Sequence, residues 1–322
     1  MTKQILAILL ALITTCHSQP ASGTMANAEQ FDAFAVSAKN LGISQQTIDK
    51  IGAMKINQEA LYKIAHPAEA RSWEWYKQRL LTSARVKKGL LFQKKFQHSL
   101  NQAQNEYGVP SEYITSILGI ESLYGEKKGS FLVPEALATI GFYYPKRSQF
   151  FLSELHSLLK VHEDQHLDIF SLKGSYAGAF GMNQFMPDSY QDYAVSPNHT
   201  APDLMNSFED SILSTAHFLS KKGKWQRGQP CLNHVFKNQP HLQAQQLLND
   251  RHILWLSKTD PRFKTLFSKK AEPNVTGILL TQEKKGLFSA WLTYPNYHAI
   301  KTYNVSDMYA LLTHLLAEKI HG

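Results

Sequence analysis

Apolar residues recur every three or four positions along much of this chain, and that spacing predicts amphipathic helices. A first clear helix is predicted between Lys87 and Tyr107. Gly108 then predicts its C-terminal stop, and Pro110 predicts the start of the next helix. The apolar positions of the first helix are Phe92, Phe96, Leu100 and Ala103.

Five further helices follow from the same pattern. The helix after Pro110 should extend to about Tyr124, and another begins at about Arg147. Ser207 precedes Glu209 and Asp210 in an arrangement similar to a capping box, which predicts a helix that Gly223 ends. The remaining predicted helices cover Pro134–Phe142 and Ser306–Lys319.

The period changes near the C-terminus. Val275–Thr281 and Leu287–Thr293 are rich in β-forming residues, and the five residues between them predict a hairpin turn. Tyr297–Tyr303 is predicted as a third strand. The pattern therefore predicts a mainly α fold with a small β-containing insertion.

Composition narrows the class of protein. The 322 residues, 43% of them hydrophobic, are enough for a substantial core. Lys and Arg number 34 and Asp and Glu 26, so the net charge is 34 − 26 = +8. This charge suits an anionic membrane or an acidic wall polymer. The chain has no nucleic-acid-binding signature, which makes nucleic acid the weakest option.

The N-terminus has the pattern of an export signal. Lys3 precedes the apolar run Ile5–Ile13, which is too short to span a bilayer. Cys16 stands where a bacterial lipoprotein is acylated, although Thr15 replaces the usual small residue; ordinary cleavage near Ser18 is the alternative. With Cys231 as the only other cysteine, loss or lipidation of Cys16 rules out an intramolecular disulfide.

Glu121 is the first candidate for chemistry. It lies four and seven residues after Ile117 and Ile114, on an apolar helix stripe. Loss of hydration there would raise the pKa of the carboxyl, as a general acid requires at neutral pH. The alternative is an ordinary surface glutamate, which helix position alone favours.

The second candidate is the glycine-rich segment Gly174–Pro187. Its glycines and alanines leave backbone open to a flat ligand. Ser175 and Gln184 offer polar partners for sugar hydroxyls, and Phe185 offers a ring face. The alternative is a tight contact between helices made by small residues.

Together these segments resemble a known family. Gly119–Ser122 following Tyr107–Pro110 looks like the catalytic-glutamate helix of lysozyme-like transglycosylases. Ser175–Pro187 is similar to the membrane-bound B-type lytic transglycosylases of glycoside hydrolase family 103. Further matches, in family order, are Glu135–Thr139, Tyr144–Arg147, Tyr294–Tyr297 and Tyr303–Ser306 with Tyr309.

The resemblance implies a role for each matching residue. Glu121 falls on the sole catalytic acid/base, and Ser175 and Gln184 fall on polar contacts to the sugar. Lys146 and Arg147 fall on a basic pair that meets stem-peptide carboxylates, with Lys146 less suited to bidentate pairing. The positions that line the same cleft are Tyr76, Asn304 and Tyr309.

The implied architecture is a lysozyme-like helical catalytic core with an additional helical region and the β-containing insertion. We expect a monomer in the periplasm, with a lipid anchor in the outer membrane if Cys16 is acylated. The expected segments are 1–20 signal peptide, 21–30 linker, 31–95 N-terminal helical region, 96–227 catalytic core, 228–303 insertion and 304–322 C-terminal helix packed on the helical region.

The implied reaction is lytic transglycosylation of peptidoglycan strands in cell-wall remodelling. It cleaves the MurNAc-β-1,4-GlcNAc bond and leaves 1,6-anhydromuramoyl ends. One alternative is a lysozyme-type hydrolase in which Asp188 or Glu126 serves a water. Another is a catalytically silent scaffold that binds the cell wall.

Metal sites are not expected. His162–His166 reads H-E-x-x-H, a zinc-peptidase motif, but the rest of the longer zincin pattern does not follow. Some family members carry a calcium loop where this chain has Ser196–Asp203. Only Asp203 there is acidic and glycine is missing, so we predict no tight calcium binding and no cofactor.

Overall fold

The computed structural model describes residues 28–66, 72–198, 200–249, 251–267 and 272–321. Helices dominate these ranges, as the sequence predicts, with small antiparallel sheets. In chain order the elements are α1 Ala28–Asn40, α2 Gln45–Gly52, α3 Gln58–Ala65, α4 Trp73–Leu80, α5 Ser83–Lys95, α6 Gln97–Tyr107, α7 Ser111–Ser122, β1 Phe131–Leu132, α8 Val133–Tyr143, a 3-10 turn Pro145–Arg147, α9 Ser148–Gln165, β2 Lys173–Gly174, α10 Pro187–Tyr193, α11 Phe208–Lys221, β3 Leu232–Gln239, α12 Leu242–Leu248, β4 Ile253–Ser257, α13 Phe263–Leu266, β5 Gly277–Lys284, β6 Leu287–Thr293, α14 Pro295–Tyr303 and α15 Asp307–His321.

Polar caps define where several helices begin. The side chain at each N-cap accepts the backbone N–H three residues later, which satisfies one of the open donors of the first turn. These caps are Ser44 for α2, Asn57 for α3, Ser72 for α4 and Thr82 for α5. The predicted cap at Ser207 is also present, since its Oγ accepts from Asp210 N at 3.1 Å. Gly108 ends α6 with a φ of 76°, as predicted.

The predicted single helix over Lys87–Tyr107 is wrong in one respect. It is two helices, α5 and α6, because Phe96 leaves helical geometry with φ −111° and ψ 27°. Phe96 N still donates to Phe92 O, and Leu100 N donates to Phe96 O. Since the apolar spacing of three and four continues across this bend, periodicity alone could not detect it.

The described chain packs into two compact units. Among these residues, unit one joins 28–66 with 125–211, and unit two joins 72–124 with 212–321. The segments predicted from the sequence follow one another along the chain, whereas each unit joins separate stretches, so the predicted segment boundaries stay predictions.

Unit one is built around the pair of helices α8 and α9. Helices α2 and α3 pack on α8, and α10 packs on α9. Strands β1 and β2 form a short antiparallel pair that sets Phe131 opposite Gly174. The segment rich in glycine is thereby tied to the start of α8.

Unit two combines a helical group with a four-stranded antiparallel sheet of order β3-β6-β5-β4. The hairpin β5–β6 was predicted from the sequence and is confirmed. Helix α15 packs on α7, α5 and α4, and α4 also packs on β5. Where α4 meets β5, the buried carboxylate of Glu283 accepts hydrogen bonds from Lys77, Trp73 and Thr281.

The predicted strand over Tyr297–Tyr303 is wrong, because this segment is helix α14. Pro295 occupies the first turn, where its fixed φ favours helix initiation. Tyr297 and Ile300, three residues apart, are both fully buried, which fits one helix face. Aromatic content had suggested a strand, and tertiary packing overrides that preference.

Within the ranges that the structure describes, no helix is both long enough and apolar enough to cross a membrane.

Candidate active site

Glu121 lies in the last turn of α7, on the stripe that the sequence predicted. Ile114 and Ile117 on that stripe are fully buried, and Glu121 itself is half-buried. Burial raises the pKa of the Glu121 carboxyl to about 8, against a smaller lowering by the hydrogen bond from Tyr309. Tyr309 Oη donates to Glu121 Oε1 at 2.6 Å. The carboxyl is therefore largely protonated at neutral pH and can serve as a general acid.

The direction of α7 also favours the protonated form of Glu121. The helix ends at Ser122, so Glu121 sits where the helix dipole presents its negative end. A carboxylate at that end is disfavoured relative to the neutral acid. Position along the helix and burial thus both favour the protonated form.

Two tyrosines form the polar environment of Glu121. Tyr303 and Tyr309 stack with ring centroids 6.5 Å apart and planes 9° apart. Burial first, and then the charge of Glu121, raise both tyrosine pKa values well above the usual value. Both phenols therefore remain neutral, so Tyr309 keeps its proton to donate. Phe218 covers Tyr303, with ring centroids 4.8 Å apart.

The turn after α7 is held by residues that the sequence analysis missed. Leu123 and Tyr124 are both left-handed, with φ of 51° and 58°. Tyr124 Oη donates to Arg85 O at 3.0 Å, and Arg85 Nε donates to Gly119 O at 3.1 Å. A Cβ at Gly119 would lie 2.6 Å from the Tyr124 ring, so only glycine admits this contact. A glycine in the interior of this helix, two residues before Glu121, is the signal that could have revealed the contact.

Two further residues predicted to line the cleft also lie in unit two. Asn304 is buried, and its Oδ1 accepts from Ser306 N at 3.1 Å, which shapes the approach to α15. Tyr76 lies on α4, half-buried, with its ring edge-on to Trp75 at 5.4 Å. Burial raises the pKa of Tyr76. The sugar contacts of both residues stay predictions.

Ser175 organises the glycine-rich turn of unit one. Its buried Oγ accepts from Ala177 N at 3.3 Å and from Ala179 N at 3.0 Å. Its backbone N–H donates to Ala179 O at 2.7 Å. Gly178 is left-handed in this turn, with φ 86°, and a Cβ there would lie 2.3 Å from Leu137. The glycines serve the tight turn, and the role of Ser175 toward a sugar stays a prediction.

The Gln184 side chain is fixed by two hydrogen bonds that its amide nitrogen donates, while its amide oxygen accepts none from the residues that the structure describes. Its φ is 51°, and its Nε2 donates to Gly181 O at 2.9 Å and to Lys128 O at 3.1 Å. Its buried Oε1 has no hydrogen-bond partner among the described residues. An oriented and unpaired amide oxygen is suited to accept a hydrogen bond from a ligand.

Phe185 differs from expectation. Its side chain is only 2% exposed, and its backbone pairs with Phe180. Because a ring inside the core cannot present a face to a ligand at the surface, this burial argues against the sugar stacking predicted for Phe185. The half-buried Tyr176, in the same turn, keeps more of its ring accessible.

The basic pair lies in the 3-10 turn between α8 and α9. Lys146 is exposed, while Arg147 is half-buried with its guanidinium 4.3 Å from the centroid of Phe150. Burial lowers the pKa of Arg147, with the nearby Tyr144 and Glu154 opposing. Arg147 is thus pre-ordered by its aromatic neighbour, and Lys146 remains extended toward solvent.

The carboxylates considered for a hydrolase both belong to unit one. Asp188 lies in the first turn of α10, where Oδ1 accepts from Ser189 Oγ at 3.0 Å. Glu126 is exposed in the loop after α7. Within unit two, the described groups that act on the Glu121 carboxyl are tyrosines rather than a second carboxylate.

The H-E-x-x-H segment does not form the continuous helix of a zinc peptidase. Helix α9 ends at Gln165, and His166 is left-handed with φ 57°. Glu163 accepts from Ser44 N and Thr47 Oγ1, and these bonds lower its pKa. Among the residues that the structure describes, no group of three or more His, Cys, Asp or Glu is arranged to hold a metal ion.

A mainly helical chain with a half-buried, protonated carboxyl backed by neutral tyrosines fits the lysozyme-like class of enzymes. The profile of the transglycosylase SLT domain family matches residues 26–318. Membrane-bound lytic murein transglycosylase B of Escherichia coli is 30% identical over 288 residues, covering 85% of this chain and 74% of that protein.

Solved structures agree. The soluble lytic transglycosylase SltB1 of Pseudomonas aeruginosa is 32% identical, with TM-score 0.79, covering 90% of this chain and 98% of that one. SltB3 of the same organism, in complex with NAG-NAM-pentapeptide, is 26% identical, with TM-score 0.76, covering 92% and 79%. This chain therefore belongs to the transglycosylase SLT domain family and is a lytic transglycosylase. The resemblance inferred from its motifs is confirmed.

Proposed function

We propose that Glu121 is the single catalytic acid/base and that the substrate is the MurNAc-β-1,4-GlcNAc bond of peptidoglycan. The observation that carries this proposal is the half-buried Glu121 carboxyl, whose pKa of about 8 keeps it protonated at neutral pH. The lytic murein transglycosylase of Escherichia coli and the SltB3 complex with a muramoyl pentapeptide support the substrate.

In the first step Glu121 donates its proton to the glycosidic oxygen, and the bond from that oxygen to muramoyl C1 breaks. GlcNAc leaves with a free hydroxyl, and positive charge develops at C1. In the second step the Glu121 carboxylate takes the proton of the muramoyl C6 hydroxyl as that oxygen bonds to C1. The product is a 1,6-anhydromuramoyl end, and Glu121 is protonated again. Because no water is consumed, no second carboxylate is needed to activate one.

Tyr309 fits both halves of this cycle. Its hydroxyl donates to Glu121 Oε1, which stabilises the carboxylate that exists only between the two steps. Burial opposes that charge and makes the acid ready to form again. The two effects together keep the pKa of Glu121 between those of an exposed glutamate and a permanently neutral acid.

We infer substrate contacts from the remaining predicted residues. The unpaired Oε1 of Gln184 would accept from a sugar hydroxyl or amide. Ser175, Asn304 and Tyr76 would each contact the sugar strand, as the family resemblance implies. The exposed cation of Lys146 and the stacked guanidinium of Arg147 would pair with stem-peptide carboxylates.

Product analysis tests the reaction. Purified peptidoglycan is digested with the protein, and the muropeptides are weighed by mass spectrometry. Anhydro ends support transglycosylation, because they are about 18 Da lighter than reducing ends: the muramoyl C6 oxygen bonds to C1 in place of an added water. Reducing ends would instead indicate the hydrolase with Asp188 or Glu126 as the second group. A Glu121→Gln variant that keeps full activity would exclude Glu121, and inactivity of both proteins would favour the wall-binding scaffold.

We propose a periplasmic location, with an outer-membrane anchor if Cys16 is acylated. Cys16 lies outside the described residues, so the support is the export pattern and the membrane-bound relative. Metabolic labelling with a fatty-acid analogue tests this: label on the wild type and none on Cys16→Ser supports acylation. Unlabelled wild type would favour cleavage near Ser18 instead.

We also propose that the loop of residues 196–203 binds no calcium tightly. The carboxylate of Asp203 is already used, since Oδ1 accepts from Met205 N and Asn206 N at 3.0 Å each. Equal melting temperatures with millimolar calcium and with EDTA are expected. A large calcium-dependent rise would contradict the proposal.

A further inference from the structure

Helix α5 exposes an unusual combination of side chains on one face. Leu90 and Leu91 are 46% and 58% exposed. Lys87 and Lys94 lie one turn to either side of them and are also exposed. Lys87, Leu91 and Lys94 recur at spacings of four and three, so they share one helix face, which we call the lysine–leucine face.

The opposite face of α5 is fully used by the core of unit two. Gly89 and Phe92 are buried, and a Cβ at Gly89 would lie 2.6 Å from both Ile320 and the hydroxyl of Tyr124. The helix is therefore fixed against α15 and α7 at van der Waals distance. This packing leaves the lysine–leucine face directed toward solvent. Its exposed leucines therefore do not belong to the core of unit two.

The charge of the helix is one-sided. Ser83–Lys95 contains five basic residues and no acidic one. Lys88 and Lys95 add to Lys87 and Lys94 near the exposed leucines, while Arg85 is turned to the backbone of α7. A helix that served only solubility would carry charges of both signs, often in i,i+4 pairs. This face instead combines uniform positive charge with apolar side chains in its middle.

We propose that the lysine–leucine face docks on an anionic phospholipid bilayer. Lysine ammonium groups would lie among lipid phosphates, and Leu90 and Leu91 would enter the boundary between headgroups and acyl chains. A soluble anionic polymer would satisfy the lysines but leave two exposed leucines without a partner. A bilayer satisfies both, because its surface is anionic and the layer beneath is apolar.

This surface goes beyond the catalytic proposal and does not depend on it. A basic patch that also presents apolar side chains binds anionic lipid surfaces by charge attraction and by burial of those side chains. The lysine–leucine face would act in this way whether or not Cys16 is acylated. It would also fix which side of unit two faces the lipid, since α5 is packed directly on the helix that carries Glu121.

A local fluorescent probe tests the proposal in the full chain. A Cys16→Ser background leaves only the buried Cys231, so one new cysteine can be labelled with an environment-sensitive dye. Leu91→Cys carries the dye on the proposed face. Leu242→Cys is the matched control, because Leu242 is 67% exposed on α12 in the same unit. The vesicles are phosphatidylglycerol with phosphatidylcholine, or phosphatidylcholine alone.

The expected result is a blue shift of the dye at position 91 with anionic vesicles only, reversed by high salt, and no shift at position 242. Changing Lys87 and Lys94 to Gln should raise the lipid concentration at half-saturation about 30-fold, from about fivefold per lysine. The proposal is overturned if the dye at 91 stays in water with anionic vesicles, whether or not the protein sediments with them. It is equally overturned if position 242 or neutral vesicles give the same shift, or if only a soluble polyanion binds.

Discussion

Replacing Tyr309 with phenylalanine should move the upper pH limit of activity upward. The change removes the hydroxyl that donates to Glu121 Oε1 at 2.6 Å and keeps the ring stacked on Tyr303. That bond stabilises the carboxylate, so its loss favours the neutral acid, and the pKa of Glu121 rises above about 8. A hydrogen bond to a charged group contributes roughly 1.5–3 kcal/mol, and about 1.4 kcal/mol corresponds to one pH unit. Because Glu121 is half-buried, we take the lower end and expect about one unit.

The assay is the pH dependence of kcat/KM for muropeptide release. Protonated Glu121 is required for the first step, so activity falls as pH rises through its pKa, and this basic limb should shift up in Tyr309→Phe. Tyr62→Phe is the control, since Tyr62 is 65% exposed and lies in unit one, and its profile should match the wild type. A basic limb that stays in place or moves down would refute the assignment of this limb to Glu121.

Three further predictions concern stability as well as activity. Glu121→Gln should abolish activity and should also remove a pH dependence of stability. The raised pKa of Glu121 makes the folded wild type lose stability as pH rises from about 4.5 to 8, by about 1–2 kcal/mol after allowance for solvent screening. Thermal melts of the variant should show no such loss. Gly178→Ala should cost about 3 kcal/mol or more in urea unfolding, while Gly42→Ala, also left-handed but with open space around it, should cost only about 1 kcal/mol; equal costs would contradict the close packing seen at Gly178. Lys77→Met should cost about 3–5 kcal/mol because it leaves Glu283 buried without its cation, and adding Glu283→Gln should recover most of that loss; failure of the double variant to recover would show that the charge is not the cause.

Features that depend on a few neighbouring residues could be predicted from the sequence. The stop at Gly108, the cap at Ser207 and the β5–β6 hairpin each depend on a few neighbouring residues, and each is present. The apolar stripe that leads to Glu121 is equally local, because residues four and seven apart share a helix face. The structure adds that Ile114 and Ile117 on this stripe are buried, which the prediction of a raised pKa for Glu121 required.

What sequence could not supply depends on distant partners. Tyr297–Tyr303 has strand-like composition but is helical, since Pro295 initiates the helix and Tyr297 and Ile300 share a buried face. Phe185 looked like a ring for a sugar, yet the surrounding unit encloses it. Arg85 gave no sign of its bond to Gly119 O, 34 positions away, because a lone arginine on a basic helix is normally a surface residue.

The hydrogen bond between Tyr309 and Glu121 joins residues 188 positions apart. Tyr309 lies on α15, so the two side chains meet only when α15 packs on α7. Until α15 docks against α7, Glu121 has the hydration of an exposed side chain and the pKa of an ordinary glutamate. A chain in which α15 is not packed on α7 is therefore without the poised acid. Formation of this helix contact and protonation of Glu121 at neutral pH are one event, so the fold of unit two itself switches the acid on.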